Sequence, residues 1–192
     1  MTLGESSHNN AVEVDGVRFE TILSDRLLTV PIQRAKQNDC TSVVLGFSIT
    51  NNTSTPYYFS GFQFLPEIIT SEGQNIIRGY QADGVGVRDA SDLHLTMPGK
   101  SVTFSQTAKC FWERRYPKIK RKQERDLRLF MPFTNREYWV FHLPSTGNYA
   151  IRFKYEVSNE EVNCYDELID KQCLKMVWVG EVFTPFIEFC IV

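Results

Sequence analysis

Apolar and polar residues alternate along several stretches of the chain, and this alternation predicts half-buried β-strands. After residues 42–64, described below, residues 147–158 are the clearest such stretch, because every second residue there is apolar. Residues 101–107 and 127–132 are shorter stretches of the same kind, and residues 138–143 form an apolar run. The apolar positions of residues 147–158 in this alternation are Tyr149, Ile151, Phe153, Tyr155 and Val157.

Residues 42–64 contain two strand-like stretches with a turn between them, and we interpret them as a β-hairpin onto which the other strands are built. The first stretch ends at Asn51-Asn52-Thr53-Ser54-Thr55-Pro56, a run of residues that favour turns. Strand composition resumes at Tyr57. The apolar positions of the first stretch are Val43, Leu45, Phe47 and Ile49.

Further turn and strand signals lie towards both ends of the chain. Asp15-Gly16 stands between alternating apolar residues and predicts a small hairpin in residues 12–19. Pro31 predicts an edge strand or a bulge in its segment, because proline has no N–H to donate to a ladder. Residues 176–192 are apolar in both phases and predict a final strand bent near Thr184-Pro185.

Residues 158–175 lie between the last two predicted strands and predict one helix. Ser158 and Glu161 have the spacing of a capping box. Val162, Tyr165, Leu168 and Ile169 follow close to the helical period. In a single helix, Cys164 and Cys173 would face opposite sides and would be too far apart for a disulfide.

Short strands with turn signals and one late helix indicate an all-β fold. The sequence Leu143-Pro-Ser-Thr-Gly-Asn-Tyr149-Ala-Ile151 resembles the tyrosine corner of immunoglobulin-like folds. A strand that ends in Ile-Thr-Asn-Asn-Thr, with a later Met97-Pro-Gly-Lys-Ser-Val-Thr-Phe104, resembles bacterial immunoglobulin-like or fibronectin-type sandwiches. It is also similar to the intracellular proteinase inhibitor family, where Glu is usual at the position of Lys100. These resemblances imply an antiparallel immunoglobulin-like β-sandwich with one short helix inserted between the last two strands.

The length of 192 residues, 42% of them hydrophobic, fits one globular domain. We expect residues 1–11 to form a disordered tail and residues 12–192 to form a single sandwich domain. A simple sandwich of this type needs about 100 residues. The surplus is therefore expected in insertions at about residues 110–135 and 158–175, and loops carried by a rigid scaffold are where function usually lies.

Residues 111–128 are unusually basic. They hold eight of the 21 lysines and arginines and three acids, so the segment carries about +5 and the rest of the chain about −7. Basic residues interleaved with aromatic rings suit an anionic protein surface or, less well, nucleic acid. The alternative is a solvated loop or a protected strand edge with no partner. The candidate binding residues are Trp112, Arg114, Arg115, Tyr116, Lys118, Lys120, Arg121 and Lys122.

The leading functional hypothesis is therefore a non-enzymatic binding or interaction module whose partner is a protein, another copy of the chain or an anionic surface. The modest net charge of −2 disfavours nucleic acid. The acidic run within residues 156–170 is either an internal partner of the basic segment or the solvated face of the helix. The runners-up are a protease-inhibitor-like or carbohydrate-binding sandwich, the latter using Tyr57, Tyr58, Trp112 or Trp139, and last an enzyme.

No residue pattern predicts catalysis, a cofactor or a metal. The five cysteines include no CxxC pair, which argues against a zinc site and a complete disulfide framework. The sequence MTLGESSHNN lacks the basic start and apolar centre of a secretory signal, and no apolar run has the length of a membrane span. We therefore expect a cytoplasmic protein with no membrane span.

Overall fold

The computed structural model of the protein describes residues 10–31, 40–61, 63–82, 92–114, 125–133, 137–163 and 170–192. Most of these residues lie in strands, so the protein is all-β, as the alternating pattern predicts. Nearly all strand pairs are antiparallel. The exception among the strands is the pairing of the short β3 with β15, which is parallel.

One sheet, sheet A, has seven strands, and its order is β1-β2-β4-β10-β11-β12-β8. Its strands are β1 (Ala11–Val14), β2 (Val17–Leu23), β4 (Thr41–Asn51), β8 (Arg78–Ala82), β10 (Ser101–Arg114), β11 (Arg125–Pro132) and β12 (Glu137–Leu143).

A second sheet, sheet B, has the order β3-β15-β13-β6-β7, and β14 continues alongside β13 beyond β15. β5 and β9 form a separate pair, and with them all strands of the described residues are accounted for. The strands of these two sheets are β3 (Leu27–Leu28), β5 (Tyr57–Ser60), β6 (Phe64–Thr70), β7 (Asn75–Ile76), β9 (Leu93–Thr96), β13 (Gly147–Val157), β14 (Gly180–Phe183) and β15 (Ile187–Ile191).

Sheets A and B share one aromatic core. The ring of Phe47 on β4 lies 4.6 Å from that of Phe64 on β6 and 6.1 Å from that of Phe153 on β13, measured between centroids. The ring of Phe19 on β2 lies 5.6 Å from that of Tyr155 on β13. All five side chains are buried, so the two sheets pack face to face and remove their aromatic rows from water.

Several local predictions are confirmed. β1 and β2 form the hairpin expected at Asp15-Gly16, and both turn residues have positive φ, 51° and 74°. The regular alternation of residues 147–158 forms β13. β3, which ends three residues before Pro31, is an edge strand of sheet B. The final strand is interrupted between β14 and β15, on either side of Thr184-Pro185.

The hydroxyl of Tyr149 donates a hydrogen bond of 2.5 Å to the backbone oxygen of Ser145. This is the bond that the tyrosine-corner pattern predicts. Tyr149 is buried, and this burial raises the pKa of its hydroxyl. The bond therefore fixes the loop between β12 and β13, the point at which the chain passes from sheet A to sheet B.

The predicted hairpin in residues 42–64 is wrong. β4 pairs with β2 on one side and β10 on the other, so both of its edges are occupied. The next strands pair elsewhere, β5 with β9 and β6 with β13 in sheet B. Alternation correctly predicts the strands and their buried faces, but pairing depends on strands that are distant in sequence.

The single helix predicted for residues 158–175 is not seen in the described residues, and residues 164–169, with Cys164, lie outside them. The described part holds two short helical segments, α1 (Asn159–Asn163) and α2 (Lys171–Leu174). Asp170 belongs to neither segment, and its carbonyl accepts the N–H groups of Cys173 and Leu174. Asp170 is therefore a non-helical residue immediately before α2, so one helix does not run through all of residues 158–175.

Candidate binding surface at the end of the β10–β11 hairpin

The basic segment of the sequence belongs to a β-hairpin formed by β10 and β11. The two strands pair antiparallel from Lys109 opposite Phe130 to Arg114 opposite Arg125. Residues 115–124, which connect the strands, lie outside the described residues. The ladder therefore brings the two flanks of the basic segment together and places them at one end of sheet A.

This end of the hairpin projects beyond the strands on either side of it. β10 pairs with β4 no further than Cys110, whose partner Thr41 is the first residue of β4. β11 pairs with β12 only from Leu127 onwards. Residues 111–114 and 125–126 therefore pair with each other and with no other strand among the described residues.

One face of the hairpin belongs to the core. Cys110, Leu127 and Leu129 are each at most 1% exposed. Trp112 has the same phase along β10, is half-buried and packs against the core. The hairpin is thus anchored by apolar burial up to the point at which it leaves the sheet.

The opposite face carries charge and aromatic rings. Glu113 and Arg128 form an ion pair across the two strands, with 43% and 26% of their side chains exposed. The Nε of Arg128 is enclosed and has no hydrogen-bond partner. The rings of Phe130 and Tyr138 lie 4.4 Å apart on the same face. An exposed pair of this kind stabilises by at most about 1 kcal/mol, so its main effect is to hold Arg128 across the hairpin.

The ladder also makes two like-charged cross-strand neighbours. Glu113 is opposite Asp126, and Arg114 is opposite Arg125. Like charges directly opposite each other in a sheet are destabilising. Arg128 lies diagonal to Glu113 and offsets the acidic pair. The arginine pair occupies the last rung of the ladder, next to the five further basic residues of the connecting segment.

Two of the eight sequence-predicted binding residues lie on the described hairpin. Trp112 and Arg114 are both on β10, and Trp112 packs against the core. The other six lie outside the described residues, namely Arg115, Tyr116, Lys118, Lys120, Arg121 and Lys122. Sequence reasoning missed the pair of Glu113 and Arg128, because residues 15 positions apart carry no signal until the strand register is known.

The aromatic residues considered for sugar binding pack against the core. Tyr57, Tyr58, Trp112 and Trp139 are all half-buried there. Arg78 stacks on Trp139 at 4.7 Å, and the hydroxyl of Tyr58 lies 3.7 Å from the sulfur of Cys173. Their rings are engaged by the protein itself, which argues against a flat aromatic platform made of these four residues.

Within the described ranges, no cluster of three or more His, Cys, Asp or Glu side chains has the geometry to hold a metal ion. No helix in those ranges is long and apolar enough to cross a membrane.

Cys110 is expected to be an unreactive thiol, because its burial raises the pKa to about 12 from an ordinary 9.0. Alkylation of the native protein with iodoacetamide at pH 8 should modify the exposed Cys40 and leave Cys110 intact. Peptide mass mapping checks this. Unfolding in urea should make both thiols react at similar rates, and modification of Cys110 as fast as Cys40 in the native protein would contradict it.

The same shift gives a pH dependence. A thiol whose pKa is raised by folding favours the folded state fully below the unfolded value near 9 and loses that contribution as the pH rises towards about 12. Stability measured by urea unfolding should therefore fall between pH 8.5 and pH 10.5 more steeply in the natural protein than in Cys110→Ser. Parallel curves for the two proteins would show that Cys110 does not titrate in this way.

Comparisons with known proteins leave the family of this chain undetermined. No family model matches it, and no curated protein matches it. Among solved structures, ycdA, a candidate lipoprotein of Bacillus subtilis, aligns over 95% of this chain at 12% identity with a TM-score of 0.33. The chain spans 38% of the length of that protein. A TM-score of this size does not show a shared fold.

Proposed function

We propose that the chain is an immunoglobulin-like sandwich that acts as a non-enzymatic binding module. The strand order supports this architecture. β2-β4-β10 and β15-β13-β6-β7 correspond to the orders A-B-E and G-F-C-C′ of immunoglobulin domains, and Tyr149 makes the expected corner bond. In this correspondence β8 is strand D, and the β11–β12 hairpin is inserted between strands E and D.

The binding surface that we propose is the projecting end of the β10–β11 hairpin. The observation that carries the proposal is the register, because β10 and β11 continue past β4 and β12 and pair only with each other there. The projecting rungs hold Arg114 and Arg125, and the connecting residues 115–124 contain five basic residues and one acid. The β10–β11 ladder therefore brings the two flanks of the most basic stretch of the sequence together at one end of sheet A.

The partner that fits this surface is an acidic protein. Arg114 and Arg125 are opposite each other on the last rung and flank five further basic residues in the sequence, so this stretch carries an excess of positive charge that an anionic partner would balance. Carboxylates spaced along a protein surface provide that charge and add bidentate bonds to arginine. The remainder of the chain is acidic, so a positive hairpin on a negative body would also orient the encounter.

Neutralising the basic segment is expected to abolish most of this binding. The triple change Arg115→Gln, Lys120→Gln and Lys122→Gln should weaken binding to a labelled oligo-glutamate peptide about ten-fold or more at low salt, since each exposed charge pair is worth about 0.2–1 kcal/mol. Fluorescence anisotropy at several salt concentrations measures this. Affinity of the natural protein should fall as salt rises.

The matched control removes the same number of charges elsewhere, with Arg18→Gln, Lys100→Gln and Lys175→Gln, all at exposed positions. This variant should bind as the natural protein does. Equal losses in both variants would show that only the overall charge matters and would overturn the proposed site. Tighter binding of a labelled single-stranded oligonucleotide than of the acidic peptide would overturn the protein partner in favour of nucleic acid.

A further inference from the structure

An open groove of about 470 Å³ lies on the outer face of sheet B and is lined by residues of β6, β13 and β15 and by Arg26. The floor of the groove is Ala150 on β13. Its neighbours Tyr149 and Ile151 point into the core, so Ala150 lies on the outer face of the sheet, yet it is only 9% exposed. Ala150 pairs with Glu188 on β15 and with Ile69 on β6. Because Ala150 is smaller than Ile69 and Glu188 on either side of it, the face of the sheet is concave at this point.

Three polar side chains around this floor have no described hydrogen-bond or ion-pair partner: Arg26, Asn148 and Glu188. They come from three separate parts of the chain. Arg26 lies in the connection between β2 and β3, Asn148 is on β13, and Glu188 is on β15. An apolar floor with a few convergent polar groups has the composition of a small-molecule site.

The backbone fixes the spacing of the two charged residues. The carbonyl of Arg26 accepts the N–H of Cys190 at 2.7 Å, so Arg26 is beside Cys190. Glu188 is two residues before Cys190 on the same face of β15, a separation of about 7 Å along a strand. The backbones of Arg26 and Glu188 are thus about two residues apart along the strand direction. Their long side chains can reach the two ends of a ligand of two or three extended residues, about 7–10 Å long.

We propose that this groove binds a short peptide of two or three residues with both termini free. The Arg26 guanidinium would take the terminal carboxylate, and the Glu188 carboxylate would take the terminal ammonium group. The Asn148 carboxamide would bond to the peptide backbone, and an apolar side chain would lie on Ala150 and Ile69. Opposite unpaired charges on one groove select a zwitterion over a ligand with a single charge. This site is independent of the hairpin and of its proposed partner.

The test is a titration of the ¹⁵N-labelled full chain with the peptide Ala-Leu-Ala, followed by amide chemical shifts. The amides of Asn148, Ala150 and Glu188 should move together and saturate. The same peptide with an acetylated N-terminus and an amidated C-terminus should bind at least about ten-fold more weakly, because it lacks both charge-assisted contacts.

Three variants separate the contacts. Arg26→Gln should weaken the free peptide about ten-fold and leave the affinity of the amidated peptide unchanged. Glu188→Gln should likewise weaken binding of the free peptide about ten-fold and leave the affinity of a peptide acetylated only at its N-terminus unchanged. Ala150→Leu should block binding of the free, the acetylated and the amidated peptide, because the larger side chain fills the floor of the groove. Arg18→Gln, on sheet A, is the control and should change nothing, while the dispersion of the amide spectrum confirms that each variant is folded.

Two outcomes would overturn the proposal. One is the absence of saturable shifts at the groove with Ala-Leu-Ala at millimolar concentration. The other is equal affinity for the free and the doubly blocked peptide, which would leave apolar contact as the only interaction. Loss of oligo-glutamate binding by the hairpin variant would affect neither result, since the two surfaces lie on different sheets.

Discussion

Gly46→Ala is expected to destabilise the protein by about 3 kcal/mol or more, the upper range for an overpacked interior site. Gly46 is buried in the middle of β4, between β2 and β10. A Cβ at this position would overlap the carbonyl oxygen of Phe104 and would lie 2.6 Å from the Cα of Ser105. Both are backbone atoms of a central strand, so relief requires a shift of β10 itself.

Urea unfolding followed by tryptophan fluorescence measures this loss as a lower midpoint with an unchanged slope. Gly73→Ala is the matched control, because a Cβ there meets nothing within 4 Å and only its positive φ of 77° opposes alanine. Its expected effect is about 1 kcal/mol. A loss at Gly46 no larger than the loss at Gly73 would show that β10 accommodates the methyl group without strain.

Local residue patterns were sufficient to predict much of the all-β fold. The alternation of Tyr149 to Val157 specifies one buried face whatever its partners are, and Asp15-Gly16 specifies a hairpin within a few residues. Strand pairing was not accessible in the same way. β4 lies between β2 and β10, and the residues that occupy its second edge are more than 50 positions further along the chain. The nearest following strand was therefore the wrong choice of partner.

The predicted helix in residues 158–175 and the predicted binding surface were each incomplete, for different reasons. The helical spacing of Val162 and the apolar residues after it does not indicate that Asp170 is non-helical and that a separate segment, α2, begins after it. The charge asymmetry of residues 111–128 was visible in the sequence. Its projection past β4 and β12 was not, because it depends on where two ladders end, at Thr41 and at Leu143.

The groove on sheet B gave no sequence signal for a related reason. Ala150 is an ordinary small residue in an alternating strand, and it becomes a floor only because Ile69 and Glu188 flank it in the folded sheet. Arg26 and Glu188 are 162 positions apart and are brought together by the parallel pairing of β3 with β15. Sites of this kind are defined by register, which local patterns do not specify.

Asn51→Ala is expected to destabilise the protein by about 3 kcal/mol, through hydrogen bonds that alanine cannot make. Asn51 is the last residue of β4 and is 0% exposed. Its side-chain amide donates to the carbonyl of Thr55 at 2.8 Å and to that of Thr96 at 2.9 Å. Its side-chain oxygen accepts the N–H and the hydroxyl of Thr53, at 3.0 and 2.7 Å.

After Asn51 the chain leaves sheet A. Three of these bonds hold Asn51 to Thr53 and Thr55 in the segment that follows, and the fourth joins it to Thr96, the last residue of β9 in the β5–β9 pair. Alanine would leave the carbonyl of Thr96 buried beside an empty site, and each buried polar group without a partner costs about 1–3 kcal/mol. Asn52→Ala is a close control, because Asn52 is exposed and its one described side-chain bond is to Glu13. Its expected effect is below about 1 kcal/mol. Urea midpoints of the two variants decide the matter, and similar values would show that water replaces the bonds of Asn51 at little cost.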